Sequence, residues 1–205
     1  MSDFVGVVDF KSNNSKSVLS AVRSLGVEAN LIGSKKDIKN SNRIIIPGVG
    51  HIGSIIMEMD EADIRNDLVE FARKGNYLLG ICLGQHLLGL SSEESPSAHP
   101  LGLLDYSVNL LPSNIDAGLR VPHVGWNSVE NTDDHELFRK IPEGSDFYFS
   151  HSYAITSTSN LSIGTTRHSI QFTSAAAKDN ILSVQFHPEK SQKVGSQLLR
   201  NFCDL

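Results

Sequence analysis

The first half of the chain alternates short apolar runs of strand length with segments of helical periodicity, and this restricts the fold more than any other feature. Phe4 to Val8 is a β-branched run that ends at Asp9. Val18, Leu19, Val22 and Leu25 then recur at helical spacing and stop at Gly26. Val27 to Ile32 and Arg43 to Ile46 read as further strands, the second closed by Pro47-Gly48. A long, mostly amphipathic stretch runs from Ile52 to Lys74, with Ile64, Leu68 and Phe71 on one stripe and Gly75 beyond its end. Tyr77 to Ile81 is a strand, and Leu83 to Leu90 has helical character. Strands separated by helices pair in parallel through right-handed crossovers, so an α/β fold with a sheet covered on both faces is expected.

The second half is less regular. Val108 to Leu111, Phe147 to Phe149, Leu161 to Thr165, Ser169 to Phe172 and Ile181 to Phe186 have strand character, joined by turns such as Pro112-Ser113-Asn114. Ser191 to Cys203 closes the chain as a helix with Val194, Leu198 and Phe202 spaced for burial. The expected architecture is a mixed sheet, mostly parallel at its centre, with an added antiparallel lobe. With 205 residues and no linker or repeat, residues 1–205 are expected to form one domain. Net charge is −5 without a stripe of Lys or Arg, which argues against a nucleic-acid surface. No apolar run approaches the roughly 18 residues that span a bilayer, and Met1-Ser2-Asp3-Phe4-Val5 does not open a signal peptide, so a cytoplasmic protein is expected. Cys82 and Cys203 are too few for a disulfide framework, and a metal site would want more ligands at closer spacing.

Gly80-Ile81-Cys82-Leu83-Gly84 sits where a strand hands over to a helix, in the small-x-nucleophile-x-small form of a nucleophile elbow. Such a turn is tight enough that side chains two residues to either side would collide, and it lifts the thiol above the carboxyl ends of the strands. The helix that follows aims its first N–H groups at the sulfur. A buried structural thiol is the ordinary alternative for a lone cysteine. A nucleophile also needs a base, and His187-Pro188-Glu189 lies at the end of the Ile181–Phe186 run. In an extended segment His187 and Glu189 share a side, so the carboxylate can orient the imidazole. His51, His99, His135 and His168 fall in polar turns and are expected to be solvated, whereas His123 and His151 stand beside aromatic residues in structural or binding positions. Pro47-Gly48-Val49-Gly50 follows a buried strand and can turn backbone N–H groups toward an oxyanion, or simply make a tight turn.

Pro47-Gly48-Val49-Gly50, Gly80-Ile81-Cys82-Leu83-Gly84 and Gln185-Phe186-His187-Pro188-Glu189-Lys190-Ser191 occur in the order found in class I glutamine amidotransferases, which the chain resembles over almost its whole length. Pro122-His123-Val124-Gly125-Trp126-Asn127 and Tyr148-Phe149-Ser150-His151-Ser152-Tyr153 are similar to segments of the branch serving imidazole glycerol phosphate synthases. The resemblance implies a flavodoxin-like fold. It also implies a glutaminase whose ammonia passes to a (β/α)8-barrel synthase subunit, in a heterodimer that makes imidazole glycerol phosphate and AICAR in histidine biosynthesis. By it, Cys82 is the nucleophile, His187 the base and Glu189 its orienter. Val49, Gly50 and Leu83 supply oxyanion donors, and Glu94 and the Ser152-Tyr153 backbone hold the α-amino and carboxylate groups of L-glutamine. Asn14, Trp126, Tyr148 and Lys190 fall on the partner face. No metal and no organic cofactor is implied.

Two departures stand out. Relatives place glutamine four residues after the cysteine, where this chain has His86 behind Gln85. Residues i and i+4 share a helical face, so His86 is expected in the pocket of Cys82, altering glutamine binding or the thiol. In the Asp9–Asn14 loop, Lys11 and Asn13 stand where relatives carry glycine, on the side expected to face the synthase. Other readings are a paralogue feeding acetamidino-sugar synthesis, a non-catalytic assembly subunit, and a cysteine hydrolase of the same fold.

Overall fold

Three consecutive isoleucines show how the sheet divides the core. Successive side chains of a strand point to opposite faces. Ile45 accordingly packs with Val18, Val22, Leu198 and Phe202 in one apolar cluster, and Ile44 and Ile46 pack with Ile52, Ile55, Leu68 and Leu87 in the other. The computed structural model describes residues 4–10, 14–113, 119–131, 135–157 and 160–205. The chain start Met1-Ser2-Asp3, Lys11 and Asn13 of the loop, and Asn114 of the predicted turn lie outside the described residues.

In chain order the elements are β1 (Val5–Val8), α1 (Ser15–Ser24), β2 (Ala29–Ile32), α2 (Lys35–Asn40), β3 (Arg43–Ile46), α3 (Ile52–Glu61), α4 (Arg65–Arg73), β4 (Tyr77–Ile81) and α5 (Leu83–Leu88). There follow β5 (Ser91–Ser92), β6 (Ser107–Leu110), β7 (His123–Asn131), β8 (Ser145–His151), β9 (Tyr153–Ala154), β10 (Ser162–Arg167), β11 (Gln171–Lys178), β12 (Ile181–Val184) and α6 (Gln192–Asp204). The main sheet has the order β2-β1-β3-β4-β12-β11-β10-β7-β8. The five strands from β2 to β12 are parallel, and those beyond alternate in direction, so the antiparallel part continues the same sheet. A small sheet of β5, β6 and β9 packs beside it. The parallel order is the flavodoxin-like one, in which ligands bind beyond the carboxyl ends of the strands.

Several boundaries differ from the sequence expectation. The Ile52–Lys74 stretch is two helices, because Asp63 takes a left-handed φ of 52° and turns the chain so that α3 and α4 press the same apolar cluster. The strand expected at Ser169–Phe172 begins two residues later and runs on to Lys178. Its later residues, Thr173-Ser174-Ala175-Ala176-Ala177, are too small to show an apolar period, although Thr173 to Ala176 are buried. The strand at His123–Asn131 has no counterpart in the sequence reading; Val124 and Trp126 are its exposed apolar side, the reverse of the usual pattern. Among the described residues no helix is long and apolar enough to cross a membrane.

The elbow glycines are required by close approach. A Cβ on Gly80 would stand 2.5 Å from the Gly84 carbonyl oxygen, and one on Gly84 would stand 2.0 Å from that of Ile46. Both obstacles are backbone, which cannot rotate away. Gly84→Ala is therefore expected to cost about 3 kcal/mol or more, at or above the upper end for overpacking, read from the urea unfolding midpoint. An unshifted midpoint contradicts this geometry.

Candidate active site

The site begins with a backbone that only a tight turn would impose. Cys82 links β4 to α5 with φ 53° and ψ −105°, and its N–H donates to the Val184 carbonyl of the neighbouring strand at 2.7 Å. Strand β12 runs parallel to β4 in the register Ile81↔Val184. The residues after both strands therefore emerge at the same edge, and His187 meets Cys82 although 105 positions separate them (187 − 82).

The structure brings His187 and Glu189 together by a different route from the extended segment expected. Strand β12 ends at Val184, and Pro188–Lys190 forms a single 3-10 turn. Proline holds φ suited to that turn and needs no N–H partner. The turn folds the carboxylate back, so that His187 Nδ1 donates to Glu189 Oε1 at 2.9 Å. Ser191 locks the turn: its hydroxyl donates to the His187 carbonyl at 2.6 Å and accepts the Tyr148 N–H at 3.0 Å. Asn14, expected on the partner face, donates its amide to the same Glu189 oxygen at 3.0 Å. No local pattern could have shown this, since the two lie 175 positions apart.

With Nδ1 committed to Glu189, His187 is left with Nε2, which is buried and closes no full hydrogen bond. Burial opposes the imidazolium, but the charge and proximity of Cys82 outweigh it, Glu189 adds to them, and the pKa rises to about 10. The arrangement suits an ion pair of sulfur and imidazole. The other thiol, Cys203, is pushed up to about 11 by burial, which outweighs the nearby Arg43 and Arg200.

Cys82 borders a cleft of about 260 Å³, together with Val49, Gly50, Leu83, His86, Glu94, Ser152 and Tyr153, all of the residues expected on the substrate side. The volume fits a small metabolite. Leu83 N–H, expected as an oxyanion donor, is directed at the Gly48 carbonyl in a long 3.4 Å bond. One oxygen of Glu94 accepts the Ile52 N–H at 2.8 Å. His86 does look into the pocket of Cys82, as its i+4 spacing predicts. It is buried, and its Nε2 lies 3.0 Å from Gln185 Oε1.

The wall at Tyr153 is held by histidines whose arrangement was not legible in the sequence. His151 donates Nδ1–H to the Tyr153 carbonyl at 2.9 Å, so its Nε2 accepts from His123 Nδ1 at 3.0 Å. Asn127 then donates to His123 Nε2 at 3.2 Å. Each ring thus carries one proton, and burial accordingly lowers His123 to about 4 and His151 well below its ordinary value. His168, expected to be solvated, instead stacks on His123 with centroids 4.2 Å apart. His51 and His135 cap helical turns by accepting the N–H of Gly53 and Leu137. Outside the cleft, Trp126 is 48% exposed, lies edge-on to Tyr148, and has Lys190 Nζ 5.6 Å from the Tyr148 ring.

A model of the glutamine amidotransferase class-I family matches residues 6–205. The chain is 37% identical over 202 residues to the imidazole glycerol phosphate synthase subunit HisH of Buchnera aphidicola subsp. Acyrthosiphon pisum, covering 98% of this chain and 100% of that one. It is 38% identical to the protein of that name from Chlorobium luteolum, covering 98% and 99%. Among solved structures, a glutamine amidotransferase superposes with a TM-score of 0.76 at 20% identity over 98% and 97% of the chains. PurLQS from Thermotoga maritima gives 0.72 at 16% identity over 100% and 99%. The structures share the fold, and the sequences decide the rest: the chain belongs to the class-I glutamine amidotransferases, in the HisH branch.

Proposed function

We propose that this protein is the glutaminase subunit of an imidazole glycerol phosphate synthase, hydrolysing L-glutamine at Cys82 and passing the ammonia to a (β/α)8-barrel synthase subunit in histidine biosynthesis. One observation carries the chemistry: Cys82 and His187, with Glu189 behind it, meet at the ends of adjacent parallel strands beside a metabolite-sized cleft. The ionised Cys82 attacks the side-chain amide, and Val49, Gly50 and Leu83 supply N–H groups to the oxyanion. Leu83 must first release the Gly48 carbonyl, a small demand given the length of that bond. The His187 imidazolium protonates the departing ammonia, then takes a proton from the water that cleaves the thioester. Glu94 receives the α-amino group of glutamine, and the Ser152-Tyr153 backbone its carboxylate. Residues 1–205 act as one cytoplasmic unit.

The exposed Trp126 and Lys190 and the half-buried Tyr148 between them suit a partner face, since they adjoin the turn that carries Glu189. Enrichment of aromatic residues is a mark of interface cores. The histidine pathway is favoured over acetamidino-sugar synthesis by the name HisH on relatives that align end to end with this chain.

Cys82→Ser is expected to lower glutamine hydrolysis about a thousand-fold or more, as loss of a nucleophile does in other triads, with an unchanged circular dichroism spectrum. Residual hydrolysis near the parent rate sinks the assignment. The isolated chain is expected to turn over glutamine slowly and to accelerate when mixed with the ligand-loaded barrel subunit that copurifies with it; a maximal rate for the chain alone contradicts channelled coupling. The raised pKa of His187 also has a sign. Its stabilising contribution as imidazolium is complete below its ordinary pKa of 6.5 and is lost as pH rises through about 10. The stability difference between the parent and His187→Gln is therefore expected to shrink over that window, in urea titrations at stepped pH. A constant difference rules out the charged pair.

A further inference from the structure

Gln185 lies just past the end of β12, fully buried, with its backbone N–H tied to the Ser174 carbonyl at 2.8 Å. Its side-chain amide has one donor end and one acceptor end, and both are engaged. Nε2 donates to Cys82 Sγ at 3.7 Å, within range for sulfur, and Oε1 lies 3.0 Å from His86 Nε2. Cys82 Sγ also lies 3.9 Å from the Ser150 carbonyl, and its lone pairs can accept from the Gln185 amide. Because Oε1 can only accept, His86 must carry its proton on Nε2.

The two orientations of that amide have opposite effects. With N–H toward the sulfur it stabilises negative charge there; with C=O toward the sulfur it opposes it. We infer that His86 is a positioning residue for the nucleophile, holding the Gln185 amide in the orientation that donates to the Cys82 sulfur. Two features of His86 fit. Burial lowers its pKa, so it stays a neutral ring with one N–H. Its other nitrogen, Nδ1, is buried and closes no full hydrogen bond, although the Tyr153 backbone and the Glu94 carboxylate also act on the ring, and an apolar side chain at this position would avoid that cost. The other titratable groups around the sulfur and the ring are His187 with Glu189 on one side, and Glu94, His151 and Tyr153 in the cleft wall.

The inference rests on Cys82 as nucleophile, and its test reads the sulfur directly, without turnover. In the full chain, the rate of Cys82 alkylation by iodoacetamide is followed across pH by peptide mass spectrometry. His86→Phe removes the donor, and Gln185→Leu removes the amide. Each is expected to slow alkylation near neutral pH by about three- to ten-fold, the range of one ordinary hydrogen bond, and to move the pH midpoint upward. His86→Gln keeps an N–H at the same place and is expected to restore the parent profile. The double variant is expected to match Gln185→Leu alone, since both act through one contact. Should Phe not be accommodated, as shown by the urea midpoint, His86→Leu removes the same donor. A parent-like profile for His86→Phe or His86→Leu overturns the inference, as does a double variant whose loss is the product of the two singles. A Cys82→Ser chain that still hydrolyses glutamine overturns instead the reading on which it rests.

Discussion

The parallel pairing of β4 with β12 is the contact from which the rest of the site follows. Leu78 to Ile81 lie in register with Ile181 to Val184, and the last bond of the ladder joins the Cys82 N–H to the Val184 carbonyl. That bond helps to hold Cys82 in a left-handed conformation that a non-glycine residue adopts only when its surroundings compel it. Gly84 lies so close to the Ile46 carbonyl that α5 is pressed onto the end of β3 as well. Three strand ends therefore define the position of one sulfur atom, and the buried apolar residues on both faces keep those strands aligned.

Electrostatics then depends on burial at that edge. The side chains of His187 and Glu189 are 2% and 1% exposed, so their charges lie where water screens little. A buried pair is costly unless its remaining atoms are bonded. The fold meets part of this demand with Asn14 on Glu189 Oε1 and Ser191 on the His187 carbonyl, but Glu189 Oε2 has no partner. Burial works against the imidazolium of His187, and the interactions with Cys82 and then Glu189 are what raise its pKa in spite of it.

Much of the fold was legible because its first half is built from strongly periodic pieces. β3 and β4 are continuous apolar runs bounded by Pro47 and Gly75, and α1 carries a clean apolar stripe. β11 was misplaced because Thr173 to Ala176 are buried without being bulky, and β7 was missed because its apolar side chains Val124 and Trp126 point outward. The pairing of His187 with Glu189 was foreseen on an incorrect local geometry. Extended and 3-10 backbones both bring the two side chains together here, and the pattern of residue types cannot distinguish them.

What the sequence by itself determined is the chemistry: a cysteine flanked at two residues by glycine, a histidine with a nearby carboxylate, and a glycine-rich turn, each at the end of an apolar run. Those features are local, so residue type and spacing suffice to reveal them. Only the tertiary structure decided which groups reach these residues from a distance. Asn14 reaches Glu189 across 175 positions, and Gln185 reaches Cys82 across 103. Such contacts arise from strand order and from packing of the core on both faces of the sheet, and no periodicity in the chain encodes them. His86 lies between the two cases: its helical spacing predicted the pocket it enters, and only the packed structure showed that its ring meets the Gln185 amide.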